Sequence, residues 1–289
     1  MKKKPKVVVA ENAGFCFGVR RAVDMVNEAL EKNGNSKVYC WGDLIHNPRV
    51  VEGLKEKGLR IIQDPEEVEI KSKFVIRSHG IPCDKLQQVL SKEVEIIDTT
   101  CPFVAKARKA AEEFAEKGYQ VVIFGDSSHV EVAGINSAIN YSGIISEGEL
   151  SQDDKNKLKK GKVAVLSQTT QKKEKFDEFI SKLKGICSED LQVKNTICME
   201  TSYKQDEVRE LAKEEDLLLV VGGRKSSNTS KLAEIGRNTG AKTYHLEHFK
   251  EFKKEWIKPW MDKIVIAAGA STPDDLIKGL RKRVADSIE

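Results

Sequence analysis

The chain has 289 residues, a length that allows two or three small domains with well-buried cores. Its apolar residues (39%) exclude a disordered chain, and its longest apolar runs fall far short of the roughly twenty residues of a membrane span. The 49 basic and 45 acidic residues leave a net charge of only +4, and without a long basic block this composition does not support nucleic-acid binding.

The predicted elements recur three times along the chain, each time after a cysteine. After Cys16, apolar residues at helical spacing predict a helix over 19–30, and a strand over 37–40 follows it. A polar segment around His46 comes next, where Asn47 and Pro48 are typical of a helix N-cap and first helical residue. The same order then returns twice, which indicates an internal repeat.

The second repeat begins at Cys101. Apolar residues between Val104 and Ala115 predict a helix, and the apolar run 120–124 predicts a buried strand. The polar segment that follows this strand contains His129. It therefore occupies the place that the His46 segment has in the first repeat.

The third repeat begins at Cys198. Asp206 is predicted to cap a helix that carries Val208 and Leu211, and 217–221 is a buried strand. The polar motif after this strand is Ser226-Ser-Asn228, at the start of another helix. The spacing from the cysteine to the polar motif is 30 residues to His46, 28 to His129 and 29 to Ser227, which supports the repeat.

Each repeat continues with a further strand that ends in a polar motif, and these motifs contain His79, Thr169 and Ser271. Helices that alternate with short buried strands predict an α/β fold with mainly parallel sheets. Ligands of such sheets bind beyond the carboxyl ends of the strands, where all these motifs lie. We therefore predict three similar α/β domains in a pseudo-threefold arrangement around one central site. Their predicted bounds are 13–98, 99–195 and 196–289, the last completed by the N-terminal strand 1–12.

Three of the six cysteines, Cys16, Cys101 and Cys198, occupy equivalent places in the repeats. The apolar stretch near the start of the chain is too short for a signal peptide, so we expect a cytoplasmic protein, in which disulfides are rare. Three thiolates without a fourth equivalent favour an iron–sulfur cluster with one open iron or a catalytic zinc ion, and the cysteines alone do not choose. The remaining cysteines are interpreted as buried thiols: Cys40, Cys83 and Cys187.

The polar motifs together suggest a phosphate site. Ser, Thr and Asn before a helix are ordinary N-caps, but a helix start also presents backbone N–H groups to an anion. Three such helix starts and three imidazoles (His46, His79 and His129) would cradle a phosphate. Glu131, two residues after His129, is the candidate proton donor beside that pocket.

Together these motifs resemble the 4-hydroxy-3-methylbut-2-enyl diphosphate reductase family of the non-mevalonate isoprenoid pathway, over essentially the whole chain. The resemblance is carried by Gly14-Phe-Cys-Phe-Gly-Val-Arg-Arg-Ala-Val23, Ile45-His-Asn47, Ser78-His-Gly80, Asp98-Thr-Thr-Cys-Pro102, His129 with Glu131, Ser167-Gln-Thr-Thr170, Ser226-Ser-Asn228 and Ala268-Gly-Ala-Ser271. Val130 departs from the family, which usually has Pro there, and touches no proposed ligand.

The resemblance implies three α/β domains in a trefoil around one [4Fe–4S] cluster per chain. Cys16, Cys101 and Cys198 would hold this cluster, with the fourth iron open to the substrate. It implies a two-electron, two-proton reductive dehydroxylation that gives isopentenyl and dimethylallyl diphosphates and water. Glu131, His129 and Thr169 would surround the hydroxyl and handle protons. The implied substrate-binding residues are His46, His79, His129, Thr169, Ser226, Ser227, Asn228 and Ser271.

Two other classes of protein remain open from the residues. One is an iron–sulfur dehydratase or a quinolinate synthase-like enzyme, which also uses three cysteines, and the other is a non-catalytic cluster protein such as a sensor or electron carrier. No sequence motif for NAD or flavin is present, so electrons are expected from an external donor, ferredoxin or flavodoxin. We expect a monomer or weak homodimer, without nucleic-acid or membrane partners.

Overall fold

The computed structural model describes residues 4–34, 36–187, 190–213 and 216–288. No helix within these ranges is long and apolar enough to cross a membrane. The strands are β1 (Lys6–Val9), β2 (Val38–Trp41), β3 (Leu59–Ile62), β4 (Lys73–Ile76), β5 (Glu95–Asp98), β6 (Gln120–Phe124), β7 (Ile144–Ser146), β8 (Val163–Ser167), β9 (Leu191–Lys194), β10 (Leu217–Val221), β11 (Lys242–Leu246) and β12 (Lys263–Ala268). The α-helices are α1 (Phe17–Glu31), α2 (Pro48–Glu56), α3 (Cys83–Leu90), α4 (Pro102–Glu116), α5 (Val130–Ala138), α6 (Gln152–Leu158), α7 (Lys173–Lys184), α8 (Met199–Leu211), α9 (Ser227–Asn238) and α10 (Asp274–Ile288). Short 3₁₀ helices lie at Pro65–Glu67, Phe249–Glu251 and Lys254–Trp256.

The strands form three sheets of four, and every pairing within them is parallel. The strand orders are β3-β2-β4-β5, β7-β6-β8-β9 and β11-β10-β12-β1. The three orders are equivalent, and β1 takes the position in its sheet that β5 and β9 take in theirs. Parallel sheets with interleaved helices are the predicted α/β class, and that prediction is confirmed.

The central strands of the sheets are apolar because both of their faces are covered. All five residues of β10 are fully buried. Leu217 and Leu219 pack on one face with Leu280 of α10, while Leu218 and Val220 pack on the other with side chains of α8 and α9. This alternation places one hydrophobic core on each side of the sheet.

The chain divides into two compact units. The first, unit 1, comprises Met1–Val19, His46–Val50 and Met199–Glu289, and the second, unit 2, comprises Arg20–Ile45 and Val51–Cys198. Unit 1 contains the sheet with β10 at its centre, and unit 2 contains the other two sheets. The three-domain boundaries after residues 98 and 195 stay a prediction.

One predicted helix start is wrong. Helix α8 begins at Met199, seven residues before the predicted cap Asp206, which lies within the helix. The buried side of the first two turns is polar, with Thr201, Lys204 and Gln205 almost fully covered. Apolar spacing therefore could not reveal these turns.

Candidate functional site

Each of the three equivalent cysteines lies directly before a helix. Cys16 precedes α1, Cys101 is the N-cap residue of α4, and Cys198 precedes α8. Cys198 is 9% exposed, and the other two are half-buried. A helix N-terminus favours negative charge, so each thiol occupies a place suited to an anionic ligand.

The backbone of these cysteines repeats one hydrogen bond. The Cys16 N–H donates to the carbonyl of Ala270 (3.1 Å), that of Cys101 to Ser78 (2.9 Å) and that of Cys198 to Thr169 (2.9 Å). Each acceptor belongs to a polar motif at the end of a strand, beside or within the predicted site residues. The fold therefore ties each cysteine to one such motif within the same unit.

Within unit 2, the two histidines of the predicted site are in contact. His79 follows β4, and its ring meets the ring of His129 edge-on, with the centroids 5.6 Å apart. His129 is the N-cap of α5, where its Nδ1 accepts a hydrogen bond from the backbone N–H of Glu131 (3.2 Å). The imidazole and the carboxyl group are therefore fixed by the same helix start.

Glu131 is 1% exposed and is bound to Thr169 through two hydrogen bonds, an arrangement that we call the carboxylate junction. Its Oε1 accepts from the Thr169 backbone N–H at 2.6 Å, and its Oε2 accepts from the Thr169 hydroxyl at 2.9 Å. A buried carboxyl group needs such partners, because burying a charge without hydrogen bonds is costly. Contacts thus run from Cys101 through Ser78, His79, His129, Glu131 and Thr169 to Cys198, all within unit 2.

Within unit 1, the His46 segment packs against the polar motifs that follow β10 and β12. The Ser271 hydroxyl, on a residue 5% exposed, donates to the His46 carbonyl at 3.2 Å. A side chain at Gly223 would collide with the same carbonyl, so only glycine permits this close approach. Asn47 caps α2 as predicted, accepting from the N–H groups of Arg49 (3.2 Å) and Val50 (3.3 Å).

The start of α9 carries the remaining predicted residues, and we call it the amide junction. Ser226 is the N-cap and accepts from the Thr229 N–H at 3.3 Å, while the Ser227 hydroxyl accepts from Lys231 Nζ at 3.1 Å. Asn228 is 4% exposed, and neither its Oδ1 nor its Nδ2 has a hydrogen-bond partner among the described residues. Buried amides are almost always hydrogen-bonded, so this one indicates a place for a polar ligand.

The described residues contain no group of three or more His, Cys, Asp or Glu side chains that could hold a metal ion. The donor chemistry of the three equivalent positions nevertheless fits an iron–sulfur cluster, since thiolates are the ligands of such clusters. Each of these thiols lies at a helix start and is anchored through its own N–H. The fully buried thiol of Cys40 differs, because burial raises its pKa to about 12 and keeps it protonated.

The structure gives contacts to side chains for which the sequence analysis predicted no role. Gln168 is fully buried, and its Oε1 accepts from the Asp126 N–H (3.1 Å) and from Gln171 Nε2 (3.2 Å). Lys204 and Glu207 of α8 bind the backbone just before Cys16. These side chains act on distant backbone or on other amides, and no local spacing in the sequence indicates such contacts.

Comparisons with known proteins agree with one another. The family model described as LytB protein matches residues 7–285. The 4-hydroxy-3-methylbut-2-enyl diphosphate reductase of Aquifex aeolicus is 38% identical over 286 residues, which cover 98% of this chain and 97% of that protein. The reductase of the same name from Caldanaerobacter subterraneus is 40% identical over 281 residues, which cover 96% of each chain.

A solved structure extends this similarity to the fold. It is that of an (E)-4-hydroxy-3-methyl-but-2-enyl diphosphate reductase, named as the terminal enzyme of the non-mevalonate pathway. The TM-score is 0.72 at 36% identity, and the match covers 98% of this chain and 99% of the other. The chain therefore belongs to the LytB family of 4-hydroxy-3-methylbut-2-enyl diphosphate reductases, and it is an oxidoreductase.

Proposed function

We propose that the chain is an iron–sulfur reductase that removes the hydroxyl group of 4-hydroxy-3-methylbut-2-enyl diphosphate. Two electrons and two protons are consumed, the carbon–oxygen bond breaks, and one water molecule leaves. Protonation of the resulting allyl group at either end gives isopentenyl or dimethylallyl diphosphate. The observation that carries this proposal is the buried carboxylate junction, which belongs to the series of contacts between two candidate cluster cysteines.

Cys16, Cys101 and Cys198 would hold one [4Fe–4S] cluster. When bound, such a cluster supplies the electrons and an open iron that acts as a Lewis acid toward the substrate hydroxyl. The equivalent placement of the three thiols before helices supports this ligand set. Of the other cysteines, Cys40 lies within β2, Cys83 is the first residue inside α3, and Cys187 follows α7. None of them has an equivalent place in the other repeats, and all three are proposed to be structural.

The amide junction and the imidazoles of His46 and His79 would bind the diphosphate. The unsatisfied amide of Asn228 supports this role, since a phosphate oxygen would accept from Nδ2. Backbone N–H groups at the start of α9 add further donors and a favourable dipole. The proposed diphosphate-binding residues are His46, His79, Ser226, Ser227, Asn228 and Ser271.

Glu131 would deliver the proton that turns the departing hydroxide into water. Its carboxyl group contacts the Thr169 hydroxyl, which donates to it in this structure. In the reaction Glu131 would carry a proton and the Thr169 hydroxyl would turn to the leaving group, so that Glu131 gives its proton to Thr169 Oγ while the Thr169 hydroxyl proton passes to the leaving group. His129 holds the Glu131 backbone and would line the same hydroxyl pocket. The deep burial of Glu131 supports this role, because it shields the proton from exchange with bulk water.

We further propose a cytoplasmic enzyme, a monomer or weak homodimer, that receives electrons from ferredoxin or flavodoxin. Support comes from the family membership, since a reductase needs an electron source. Anaerobic turnover with each reduced donor, compared with a chemical reductant, tests this part.

The ligand assignment is tested by anaerobic reconstitution followed by iron, sulfide and visible-absorption analysis. Cys16→Ser, Cys101→Ser and Cys198→Ser should each lose the cluster or hold a smaller one. Cys40→Ala, Cys83→Ala and Cys187→Ala are the matched controls and should keep it. A complete cluster in the Cys101→Ser protein would refute the ligand set, and a wild-type protein that takes up no cluster would refute the proposed function.

A further inference from the structure

Two side chains of α8 hold the loop of residues 11–15, which we call the Cys16 loop because Cys16 follows it. Lys204 Nζ donates to the carbonyl groups of Asn12 and Gly14, the latter at 3.0 Å. The Glu207 carboxylate accepts from the backbone N–H groups of Glu11 and Asn12, and from Asn12 Nδ2 at 3.0 Å. All of these residues belong to unit 1.

The hydrogen bonds of Lys204 are a strong restraint because the side chain is buried. Lys204 is 4% exposed, although lysine is almost never fully covered by protein. A buried ammonium group is tolerated only when its donors are satisfied, so movement of the loop would leave this charge poorly hydrogen-bonded. The loop and the ammonium group therefore stabilise each other in one arrangement.

The loop is also closely packed against α10, at Gly14. This residue has a φ of +102°, and an added Cβ would lie 3.1 Å from Ile277 Cδ1 and 3.2 Å from Asp274 Oδ1. Two residues later, the Cys16 N–H donates to the Ala270 carbonyl. The backbone is thus restrained by α8, by α10 and by the Ala270 carbonyl up to the cysteine itself.

We infer that Lys204 is a positioning residue for Cys16, and that Glu207 assists it. The pair fixes the Cys16 loop before iron is present, so that the thiol needs little rearrangement to become a ligand. Groups that orient the ligands of a metal site commonly decide how well the site holds its metal. This inference rests on the proposed function, which assigns Cys16 as a cluster ligand.

The first test uses the cluster-free protein and therefore does not depend on the proposed function. Cysteine alkylation by iodoacetamide is followed residue by residue by mass spectrometry in the wild type and in Lys204→Met. Cys16 should react about tenfold faster in Lys204→Met, as expected when hydrogen bonds from a charged donor no longer restrain the loop. Cys101 and Cys198 should keep their rates, and Lys204→Arg should restore the slow rate at Cys16.

The control is Lys278→Met, which removes an exposed lysine from α10 in the same unit and should change no rate. Equal Cys16 rates in the wild type and Lys204→Met would overturn the inference. Equal acceleration at all three cysteines would also overturn it, since that result describes a general loosening of the fold. If Lys204→Met does not fold, Glu207→Gln takes its place and should accelerate the reaction of Cys16 alone.

The second test uses the reconstituted protein and measures iron release to a chelator together with the electron paramagnetic resonance spectrum of the reduced cluster. Lys204→Met should release iron faster and show an altered spectrum, while Lys204→Arg and Lys278→Met match the wild type. A cluster equally stable and spectroscopically unchanged in Lys204→Met would overturn the positioning role. A wild type that takes up no cluster, with the alkylation result intact, would refute the proposed function and leave the restraint on the loop established.

Discussion

The carboxylate junction and the amide junction lie at equivalent strand-to-helix positions in different repeats, yet their hydrogen bonding is opposite. At the carboxylate junction, both oxygens of Glu131 have partners from Thr169 within the protein. At the amide junction, both polar atoms of Asn228 lack partners among the described residues. Both side chains are at least 95% buried, so exposure to water does not explain the difference.

The difference separates two ways of building a site. A group that already has its partners is held in one position, which suits catalysis. A buried amide without partners leaves hydrogen-bonding capacity for an incoming ligand, at a cost to the ligand-free protein. We therefore expect substitutions at the carboxylate junction to impair turnover, and substitutions at the amide junction to impair binding.

The largest effect is expected from Glu131→Gln. This change keeps the size of the side chain but removes the acid, and general acid catalysis contributes about 10²–10⁴-fold. Single-turnover product analysis with the reduced enzyme should show turnover reduced by that factor, while inorganic pyrophosphate still raises the melting temperature as in the wild type. Glu178→Gln, on the exposed face of α7, is the control. Near-normal turnover in Glu131→Gln would leave His129 or a bound water as the proton source.

Gly223→Ala should disturb the amide junction and leave the carboxylate junction unchanged. Its new methyl group would press on the His46 carbonyl, and overpacking of this kind costs about 1–3 kcal/mol. We expect a lower melting temperature and weaker pyrophosphate binding. Gly53→Ala in α2 is the matched control, since no atom lies within 4 Å of its added Cβ and alanine favours a helix. A Gly223→Ala protein that binds pyrophosphate normally would contradict the role of this close approach.

Asn228→Ala separates binding from stability. The substitution should weaken substrate binding by about 1–3 kcal/mol, the range for a hydrogen bond to a charged group. The melting temperature without ligand should not fall, because the amide has no partner among the described residues to lose. Thermal unfolding with and without pyrophosphate measures both quantities. A destabilised ligand-free protein with unchanged affinity would reverse the assignment.

The smallest effect concerns pH and the strand end that leads into the amide junction. Burial lowers the pKa of His245, whose Nε2 lies 2.9 Å from the Gly222 carbonyl. His245 therefore binds a proton near pH 6.5 in the unfolded chain but stays neutral there in the folded chain. The contribution of neutral His245 to the free energy of unfolding is complete above pH 6.5 and is lost as the pH falls toward the lowered pKa. Denaturant unfolding should show that the free energy of unfolding declines between pH 8 and pH 5, and that this decline is smaller in His245→Gln. An equal decline in the wild type and in His245→Gln would exclude His245 as its source.

The sequence predicted the strands whose residues are apolar on both faces of the sheet. Strands β6 and β10 lie where the apolar runs 120–124 and 217–221 placed them, because a covered parallel strand leaves an uninterrupted apolar signal. Strands β3, β7 and β11 were not predicted. Each lies at the edge of its sheet, and β11 mixes polar and apolar residues accordingly.

The site residues were found through repetition, and their hydrogen bonds were not. Equivalent spacing and the family motifs indicated Glu131, Thr169 and Asn228, whose roles stay proposals. Neither source indicated that Glu131 is fully paired and Asn228 is not, because pairing depends on backbone far away in the chain. Lys204 was missed for the same reason, since its partners are about 190 residues earlier.

The pairing of β1 with β12 has a consequence for synthesis. Strand β1 is synthesised first, and its pairing partner β12 follows about 250 residues later. A ribosome adds these residues in roughly 10–50 s at 5–20 residues per second. The hydrogen bond from the Cys16 N–H to the Ala270 carbonyl can form only after a similar delay. Until translation is nearly finished, the nascent chain therefore exposes β1 without its partner strand and Cys16 without its backbone hydrogen bond. The Cys16 loop can adopt its folded conformation only after β12 has left the ribosome.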